Sequence, residues 1–278
     1  MSTARSRGLS AEIRRLRQAT GMTMGDLADR LPDLSRSTIN RMELGQRIPT
    51  PEETSALLVA LEIGGEEAAH VLALSRRATE SRWWEVGAPG LPRQLKSWIG
   101  FEQDASAITD WSLDVVPGLL QTAAYAHAII RLACSDPDEL ESRVAARLAR
   151  QAILTRDTSI EYTAILDESV LRRSVGGRAV MAEQLRQLQR LGDRENITIH
   201  VTPLESREHL GLSGSYAVAH FDTGEPLVQI EHQRSAVILD DEDDVRQHVS
   251  SISTLVEMAM TSADSAAIIE HTAVEMEG

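Results

Sequence analysis

Two chain breakers, Gly21 and Pro32, divide the start of the chain into three short segments, and this division constrains the fold more than any other feature. In the first two segments, apolar residues recur with the spacing of a helix face, which predicts two amphipathic helices. These residues are Leu9, Ile13 and Leu16, followed by Met24, Leu27, Ala28 and Leu31. The third segment predicts a helix that starts near Ser35, a candidate N-cap, and runs to Leu44, with Gly45 at the stop position.

The third predicted helix has an apolar side and a polar side. At 100° per residue, Ile39 and Met42 define the buried side. The opposite side holds Ser37, Asn40, Arg41 and Leu44, with Arg36 and Thr38 at its margins. Arginine suits guanine, asparagine suits adenine, and serine or threonine suits a base or a phosphate, so this face is typical of a helix that reads the DNA major groove. An ordinary solvated helix face is the alternative interpretation of the same residues.

A fourth helix is predicted to begin at residues 50–53. Thr50 is the expected N-cap, Pro51 fits the first helical position, and Glu53 stands at the capping-box position. A fifth helix is predicted from Glu66 to about Arg77. The fourth helix is expected to contribute three residues to a shared core: Leu57, Leu58 and Leu61.

The charge distribution favours DNA binding by the start of the chain only. The net charge is −14, yet residues 1–50 hold nine arginines and five acidic residues, a balance of +4, which leaves −18 for the remainder. Phosphate attraction would therefore come from the predicted helices above, while the acidic remainder would repel DNA and weaken non-specific binding.

Composition bounds the class of protein. A length of 278 residues suggests two domains, and 42% hydrophobic with 25% charged residues is typical of soluble globular proteins. No apolar run approaches the roughly 20 residues that span a membrane, and residues 1–15 contain no apolar signal core, which predicts a cytoplasmic protein with no membrane partner. The single cysteine, Cys134, excludes an intramolecular disulfide and a cysteine-based zinc cluster.

The glycines and prolines of residues 85–92 predict a break between two domains. We expect a helix-turn-helix head with its connecting helix over 1–82, a linker over 83–94, and a larger α+β domain over 95–278. The expected fold is therefore a mainly α head of five short helices, followed by a domain with a small mixed or antiparallel sheet.

The second domain is expected to alternate helices and strands. Strands are predicted at Trp111–Val116, Ile160–Leu166, Ile197–Val201, Ser215–Phe221, Leu227–Glu231 and Ala236–Leu239. Helices are predicted from about Leu91 towards Asp110, and at Leu119–Leu132, Pro137–Leu154, Glu168–Arg173, Val180–Leu191 and Val245–Ala263.

No motif in the second domain indicates catalysis. H-E-x-x-H, Walker A and G-x-S-x-G are absent, and the glycine-rich residues 211–215 are not expected to join a strand to a helix. Asp167 and Glu168 are adjacent, so on a strand they would point to opposite faces. Four histidines could converge but are interpreted as structural: His200, His209, His220 and His232. The acidic residues 240–244 are interpreted as a helix start rather than a calcium site, so we expect no enzyme, no cofactor and no metal.

Residues 9–63 resemble the Cro/cI-type (XRE) helix-turn-helix family of DNA-binding regulators. The stretches that carry the resemblance are LRQATGMT, LADRL, SRSTINRMELGQRIPTP and ALLVALEI. Two departures are a turn, PDLS, that is one residue longer than usual, and Met24 at a place where the family commonly has glutamine.

The resemblance implies a role for individual residues. Base edges would be contacted by Arg36, Ser37, Asn40 and Arg41. Phosphates would be contacted by Thr23 and Arg47, and we add Thr38 from its place at the margin of the face. Arg17 and Glu43 would form a structural ion pair between the first helix and the end of the third.

The second domain resembles the C-terminal domain of the WhiJ-like regulators of actinobacteria, in the stretches VPGLLQTAAYA, RVAARLARQAIL, ILDESVLRRSVG, AEQLRQLQRL, ITIHVTPL and GSYAVAHF. The resemblance implies a transcriptional regulator of development or secondary metabolism. Its effector domain would sense a small-molecule ligand or a small partner protein. The alternative is an antitoxin or anti-activator that sequesters a partner protein and binds DNA for autoregulation.

A homodimer is expected because one head reads too few base pairs for useful specificity among roughly 10⁶ or more competing genomic sites. Two heads would bind a palindromic operator in double-stranded DNA. The dimer is expected to form through the second domain and the connecting helix, since the adjacent Trp83 and Trp84 form an unusually apolar pair there.

Overall fold

The computed structural model describes residues 4–79, 93–156, 160–232 and 235–278, without the side chains of 4–8, 77–79, 93–97, 232 and 235. The chain divides into two compact units, Met1–Glu85 and Val86–Gly278. Of the predicted linker, residues 83–92 lie outside the described residues, Trp83 and Trp84 among them. Its last two residues are helical and open the first described helix of the second unit.

The described part of the first unit contains five helices, which confirms the predicted helical head. They are α1 (Ala4–Ala19), α2 (Met24–Arg30), α3 (Arg36–Glu43), α4 (Pro51–Ala60) and α5 (Gly65–Thr79). Their apolar faces share one core, formed by Leu9, Ile13, Leu16, Leu27, Leu34, Ile39, Met42, Leu57, Leu58, Leu61 and Val71. The stripes read from the sequence are therefore the buried faces of these helices.

Side-chain caps fix where the helices of the head begin. The hydroxyl of Ser35 accepts the backbone N–H of Thr38 at the start of α3. At α4 the hydroxyl of Thr50 accepts the N–H of Glu53, whose carboxylate accepts the N–H of Thr50 in return. Gly45 has a φ of 67°, a left-handed conformation that ends α3 and that favours glycine.

The second unit is built on a mixed sheet, which confirms the predicted α+β class. Its described strands are β1 (Ala107–Ser112), β2 (Glu161–Asp167), β3 (Ile197–Thr202), β4 (Tyr216–His220), β5 (Leu227–His232) and β6 (Ser235–Leu239). They lie in the order β3-β2-β1-β4-β5-β6. The first three are parallel because helices connect them, and the last three form an antiparallel meander.

Helices cover both faces of this sheet. Those described are α6 (Arg93–Asp104), α7 (Ala123–Ile130), α8 (Pro137–Arg150), α9 (Glu168–Arg172), α10 (Arg178–Gly192), α11 (Glu242–Met258) and α12 (Ser262–Glu277). One face packs on α11 through Trp111, Ile165, Tyr216, Val218 and Val228 of the strands, with Val245 and Leu255 of the helix. The neighbouring residues in each strand point to the other face.

The prediction of a strand at Trp111–Val116 was wrong, because β1 ends at Ser112. The N–H of Leu113 donates to the hydroxyl of Ser215 at 2.9 Å, and the N–H of Val116 donates to the hydroxyl of Tyr125 at 3.1 Å. Side-chain hydroxyls therefore accept the hydrogen bonds of backbone N–H groups that, in a strand, would donate to a neighbouring strand. The preceding helix, expected to continue towards residue 110, ends at Asp104 and leaves room for β1.

Two predicted helices are each divided into separate elements. In place of the helix predicted over Leu119–Leu132, the structure has a single 3-10 turn, Gly118–Leu120, and then α7, whose N-cap is Thr122. The prediction of one helix over Val245–Ala263 was wrong in extent, because α11 ends at Met258 and a new helix, α12, follows. The break is fixed by the N–H of Met260, which donates to the carbonyl of Val201 in β3 at 2.8 Å.

Among the described residues, no single helix is both long and apolar enough to cross a membrane. Helices α11 and α12 meet that test only as a pair, by length and composition, across a 73° bend.

Candidate nucleic-acid interface

Helix α3 presents a polar face to solvent. Arg36, Ser37 and Arg41 are exposed and Asn40 is half-buried, while Ile39 and Met42 of the same helix are 0% exposed. Leu44, directly after α3, is 53% exposed on the same side. The structure thus brings the four residues predicted to contact bases together on one face of a well-anchored helix.

Within the described part of the chain, the side chains of these four residues have no hydrogen-bond or ion-pair partner. Among the other arginines of the head whose side chains are described, all but Arg14 have partners. Arg15 binds Glu12 and Glu67, and Arg30 donates to the carbonyl of Ala60 at 2.8 Å. Arg36 and Arg41 therefore stand out as cations whose donors are available to an external acceptor.

Helix α3 is tied to α1 by an ion pair. Arg17 donates from Nε and Nη2 to the two carboxylate oxygens of Glu43, at 2.5 and 2.8 Å. A third donor, Nη1 of Arg17, binds the carbonyl of Met22 at 2.8 Å. The hydrogen bond with Glu43 raises the pKa of Arg17. This bidentate pair fixes the C-terminal end of α3 relative to α1 and to the turn before α2.

The residues predicted to contact phosphates all have partners within the head. The hydroxyl of Thr23, the N-cap of α2, donates to Asp26 Oδ2 at 2.7 Å and accepts the Asp26 N–H at 3.2 Å. The hydrogen bonds that the Asp26 carboxylate accepts from the hydroxyl and from the backbone N–H of Thr23 lower the pKa of Asp26. The hydroxyl of Thr38 lies 2.9 Å from that of Ser35. Each threonine is thus part of a helix cap.

Arg47 lies half-buried against Glu53, with 2.5 Å between Nη2 and Oε1. Burial opposes ionisation of Glu53, but the bonds from Arg47 and from the N–H of Thr50 together lower the pKa of its carboxyl. Nη1 of Arg47 has no hydrogen-bond partner in the described residues. Sequence reasoning missed this ion pair because it assigned Glu53 to the cap alone, although the carboxylate serves both partners.

The second unit does not bring its histidines together in the described residues. Nδ1 of His200 lies 3.1 Å from the carbonyl oxygen of Met260, and His209 packs edge-on against Trp111. His220 is on β4, and the side chain of His232 lies outside the described residues. No group of three or more His, Cys, Asp or Glu side chains described in the structure could hold a metal ion.

The acidic residues singled out in the sequence have separate structural partners. Asp167 caps α9 by accepting the N–H of Ser169 at 2.9 Å, and Glu168 pairs with Arg172. Asp241 accepts two backbone N–H groups at the start of α11, as the prediction of a helix start requires. These contacts are those of two helix caps and of an ion pair along one helix.

Comparisons with known families match both units. A family model described as a helix-turn-helix domain matches residues 9–71, which include most of α1, all of α2 to α4 and the polar face of α3. A second model, described as a domain of unknown function, DUF5753, matches residues 95–271. Comparisons with curated proteins and with solved structures gave no match. The chain therefore belongs to the DUF5753 family, and it joins that family's domain to an N-terminal helix-turn-helix domain of the kind that binds DNA.

Proposed function

We propose that the protein is a sequence-specific DNA-binding transcriptional regulator of the XRE type, and that α3 is its recognition helix. The observation that carries the proposal is the unpartnered polar face of α3 on a helix held by the Arg17–Glu43 pair. Base edges are contacted by Arg36, Ser37, Asn40 and Arg41. A rigid helix whose donors are free before binding loses few internal hydrogen bonds when it enters the major groove.

Phosphate contacts are proposed for Thr23, Thr38 and Arg47. Nη2 of Arg47 binds Glu53 and Nη1 is buried without a partner in the described residues, so the guanidinium would have to turn outward to donate to a phosphate oxygen. The two threonine hydroxyls share their hydrogen bonds between the helix caps and the phosphates. Such contacts position the head and carry no sequence information themselves.

The proposal is tested by selecting bound fragments from a pool of randomised double-stranded DNA with the full-length protein. We expect an inverted repeat to be enriched, with half-sites about 34–36 Å apart or a multiple of that distance. Recovery of unrelated sequences in proportion to their abundance would contradict a sequence-specific function. That result would mean that the basic head attracts DNA only non-specifically.

The second unit is proposed to be an effector and dimerisation domain of the WhiJ-like kind, active in development or secondary metabolism. It would sense a small molecule or a partner protein and change the spacing of two heads. A homodimer is proposed because one head reads too few base pairs for useful specificity. Such coupling requires a ligand that binds two arrangements of the domain with different affinities.

A second candidate function is sequestration of a partner protein, with DNA binding serving autoregulation. The observation that favours it is a segment with exposed leucines between β3 and β4. Leu204, Leu210 and Leu212 are 55, 53 and 58% exposed. Native mass spectrometry of the protein isolated from its own cells separates the two functions. A stoichiometric polypeptide supports sequestration, and a bound metabolite supports small-molecule sensing.

A further inference from the structure

The second unit contains a cavity on the side of the sheet that packs against α11. It is lined by residues of β4, β5 and α11, and by the 3-10 turn Leu210–Ser213 with the two residues that follow this turn. The volume of the cavity is about 220 Å³. An apolar cavity of about 150 Å³ binds benzene, so in proportion a cavity of this size accommodates about nine non-hydrogen atoms. The space therefore suits a small molecule of the size of a substituted benzene ring.

The segment that forms one wall of this cavity is held in place by the sheet and by the residues after β1. The indole N–H of Trp111 donates to the carbonyl of Gly211 at 2.8 Å. The hydroxyl of Ser215 accepts the N–H of Leu113 at 2.9 Å and donates to Oδ1 of Asp114 at 3.0 Å. The wall is therefore in position before a ligand binds, which reduces the loss of conformational freedom on binding.

The lining is largely apolar and carries no permanent charge. Leu210 is 53% exposed, Ile230 of β5 is half-buried, and Tyr216 of β4 is buried. None of the described residues that line the cavity is an aspartate, glutamate, lysine or arginine. An ion that entered would lose part of its hydration without gaining an opposite charge from the lining. The cavity therefore favours an uncharged, mainly apolar molecule.

His248 of α11 adds a hydrogen-bond acceptor to this lining. Its Nδ1 lies 2.8 Å from the carbonyl oxygen of Asp244, one helical turn earlier. A carbonyl oxygen can only accept, so Nδ1 carries the hydrogen and, in the neutral imidazole, Nε2 is the acceptor. Among the side chains and backbone that the structure describes, Nε2 has no hydrogen-bond partner.

The imidazole of His248 and the ring of Tyr216 form one corner of the cavity. Their centroids are 4.9 Å apart and their planes meet at 82°, an edge-on contact. The hydroxyl of Tyr216 is 3.4 Å from the carbonyl oxygen of His248, which also links β4 to α11 at this point. Two rings at right angles give a third, flat ring one face and one edge to pack against.

We propose that this cavity binds an uncharged aromatic molecule of about nine non-hydrogen atoms that carries one hydroxyl group. The hydroxyl donates to Nε2 of His248, and the aromatic ring packs against Tyr216, Ile230 and Leu210. This inference deepens the proposed sensing function, and it rests on that function only for the coupling of ligand binding to DNA affinity.

The test uses full-length protein labelled with ¹³C at its isoleucine δ1 methyl groups, titrated with 2-phenylethanol in the absence of DNA. We expect the methyl signal of Ile230 to shift saturably, with a dissociation constant of about 1 mM or lower. The methyl of Ile269, buried in α12, reports any unspecific change and should not move. The amine 2-phenylethylamine has the same size but carries an ammonium group, and it should bind at least about tenfold more weakly. No saturable shift of Ile230 with 2-phenylethanol, or equal affinity for the amine, would overturn the proposal.

Exchange of the acceptor tests where the hydroxyl binds. His248→Phe keeps an aromatic ring but removes Nε2, so it should weaken 2-phenylethanol about fivefold or more. Ethylbenzene, which lacks the hydroxyl, should bind the variant and the wild type about equally. His271→Phe, whose native side chain is 73% exposed on α12, is the matched control and should change neither affinity. Equal weakening of both ligands by His248→Phe, or no weakening of 2-phenylethanol, would overturn the assignment of the hydroxyl to His248.

A second variant tests the apolar wall at an exposed position, where the substitution is compatible with folding. Leu210→Ala removes apolar contact area and leaves the acceptor in place, so it should weaken 2-phenylethanol and ethylbenzene to a similar extent, about threefold. Unchanged affinity for both ligands would contradict binding in this cavity. Since no DNA is present, a failed titration does not bear on the recognition helix, and a successful one stands even if the head reads no specific sequence.

Discussion

Arg17 and Glu43 join α1 of the head to the end of α3 through two hydrogen bonds of 2.5 and 2.8 Å. The side chain of Glu43 is 1% exposed and that of Arg17 is 11% exposed, so solvent screens this pair little. Because Arg17 also binds the carbonyl of Met22, one guanidinium holds three parts of the head together. The orientation of the polar face of α3 therefore depends on this pair.

Glu43→Ala should destabilise the head strongly. Removal of the carboxylate leaves the Arg17 guanidinium without its partner, which costs about 3–5 kcal/mol for a largely buried pair. We expect a lower melting temperature for the head by thermal denaturation, with the second unit unaffected. The matched control is Glu67→Ala, which breaks the exposed pair with Arg15 and should cost less than about 1 kcal/mol. Equal melting temperatures for wild type and Glu43→Ala would show that the pair does not stabilise the head.

Most of the head could be predicted from the sequence because its signals are local. Ser35, Thr50 and Glu53 act within four residues of the helix starts that they define. The ion pair between Arg17 and Glu43 spans 26 residues, and only the resemblance to a known family implied it. The spacing of residues along one helix does not indicate which charged residue, distant in sequence, will lie opposite a given side chain.

The second unit was less predictable because long-range contacts decide its boundaries. The break between α11 and α12 depends on a backbone bond from Met260 to Val201 in a strand almost sixty residues away. A local signal was present, since Thr261 and Asp264 form a cap at the start of α12. The register that places Asp110 of β1 opposite Ala217 of β4, and Ala217 opposite Gln229 of β5, depends on strand pairing, which no local pattern provides.

Gly211→Ala should destabilise the second unit. A Cβ at this position would lie 2.6 Å from the indole of Trp111, which is 1% exposed and donates from Nε1 to the Gly211 carbonyl at 2.8 Å. Because a buried indole has little freedom to move, we expect a loss of about 1–3 kcal/mol in chemical denaturation. Gly192→Ala is the control, since its Cβ would meet only Ile199 at 3.8 Å. Equal stability of the two variants would contradict the tight packing of Trp111.

Asp110→Asn should change how stability depends on pH. Burial raises the pKa of Asp110 to about 7, whereas a carboxyl of this kind titrates near 3.9 in an unfolded chain. The folded state thus binds the proton more tightly, and the associated stability is fully present below about pH 4 and is lost as the pH rises through 7. The asparagine variant should melt at a higher temperature than wild type above pH 7, with the difference shrinking towards pH 4. If the difference in melting temperature between wild type and variant is the same at every pH in this range, Asp110 titrates normally.

The proposed homodimer is expected to form mainly through the second unit and the connecting helix. The first unit uses the apolar faces of its helices for its own core, which leaves little area for an interface of standard size, about 800 Å² per partner. Light scattering should give a dimer for the full-length chain and a monomer for residues 1–82. A monomeric full-length protein at micromolar concentration, or an equally dimeric head, would contradict this arrangement.

The role of α3 is tested most directly by comparing Arg41→Ala with Arg47→Ala in fluorescence anisotropy, on the selected operator and on random DNA. Arg41→Ala should cost about 1–3 kcal/mol on the operator and relax the preference at one base position. Arg47→Ala should weaken binding to all sequences alike and reduce the slope of affinity against salt by about one. Arg14→Ala, an exposed arginine on α1, controls for the loss of one positive charge. If Arg41→Ala and Arg47→Ala weaken binding equally on operator and random DNA, α3 is not the helix that reads the sequence.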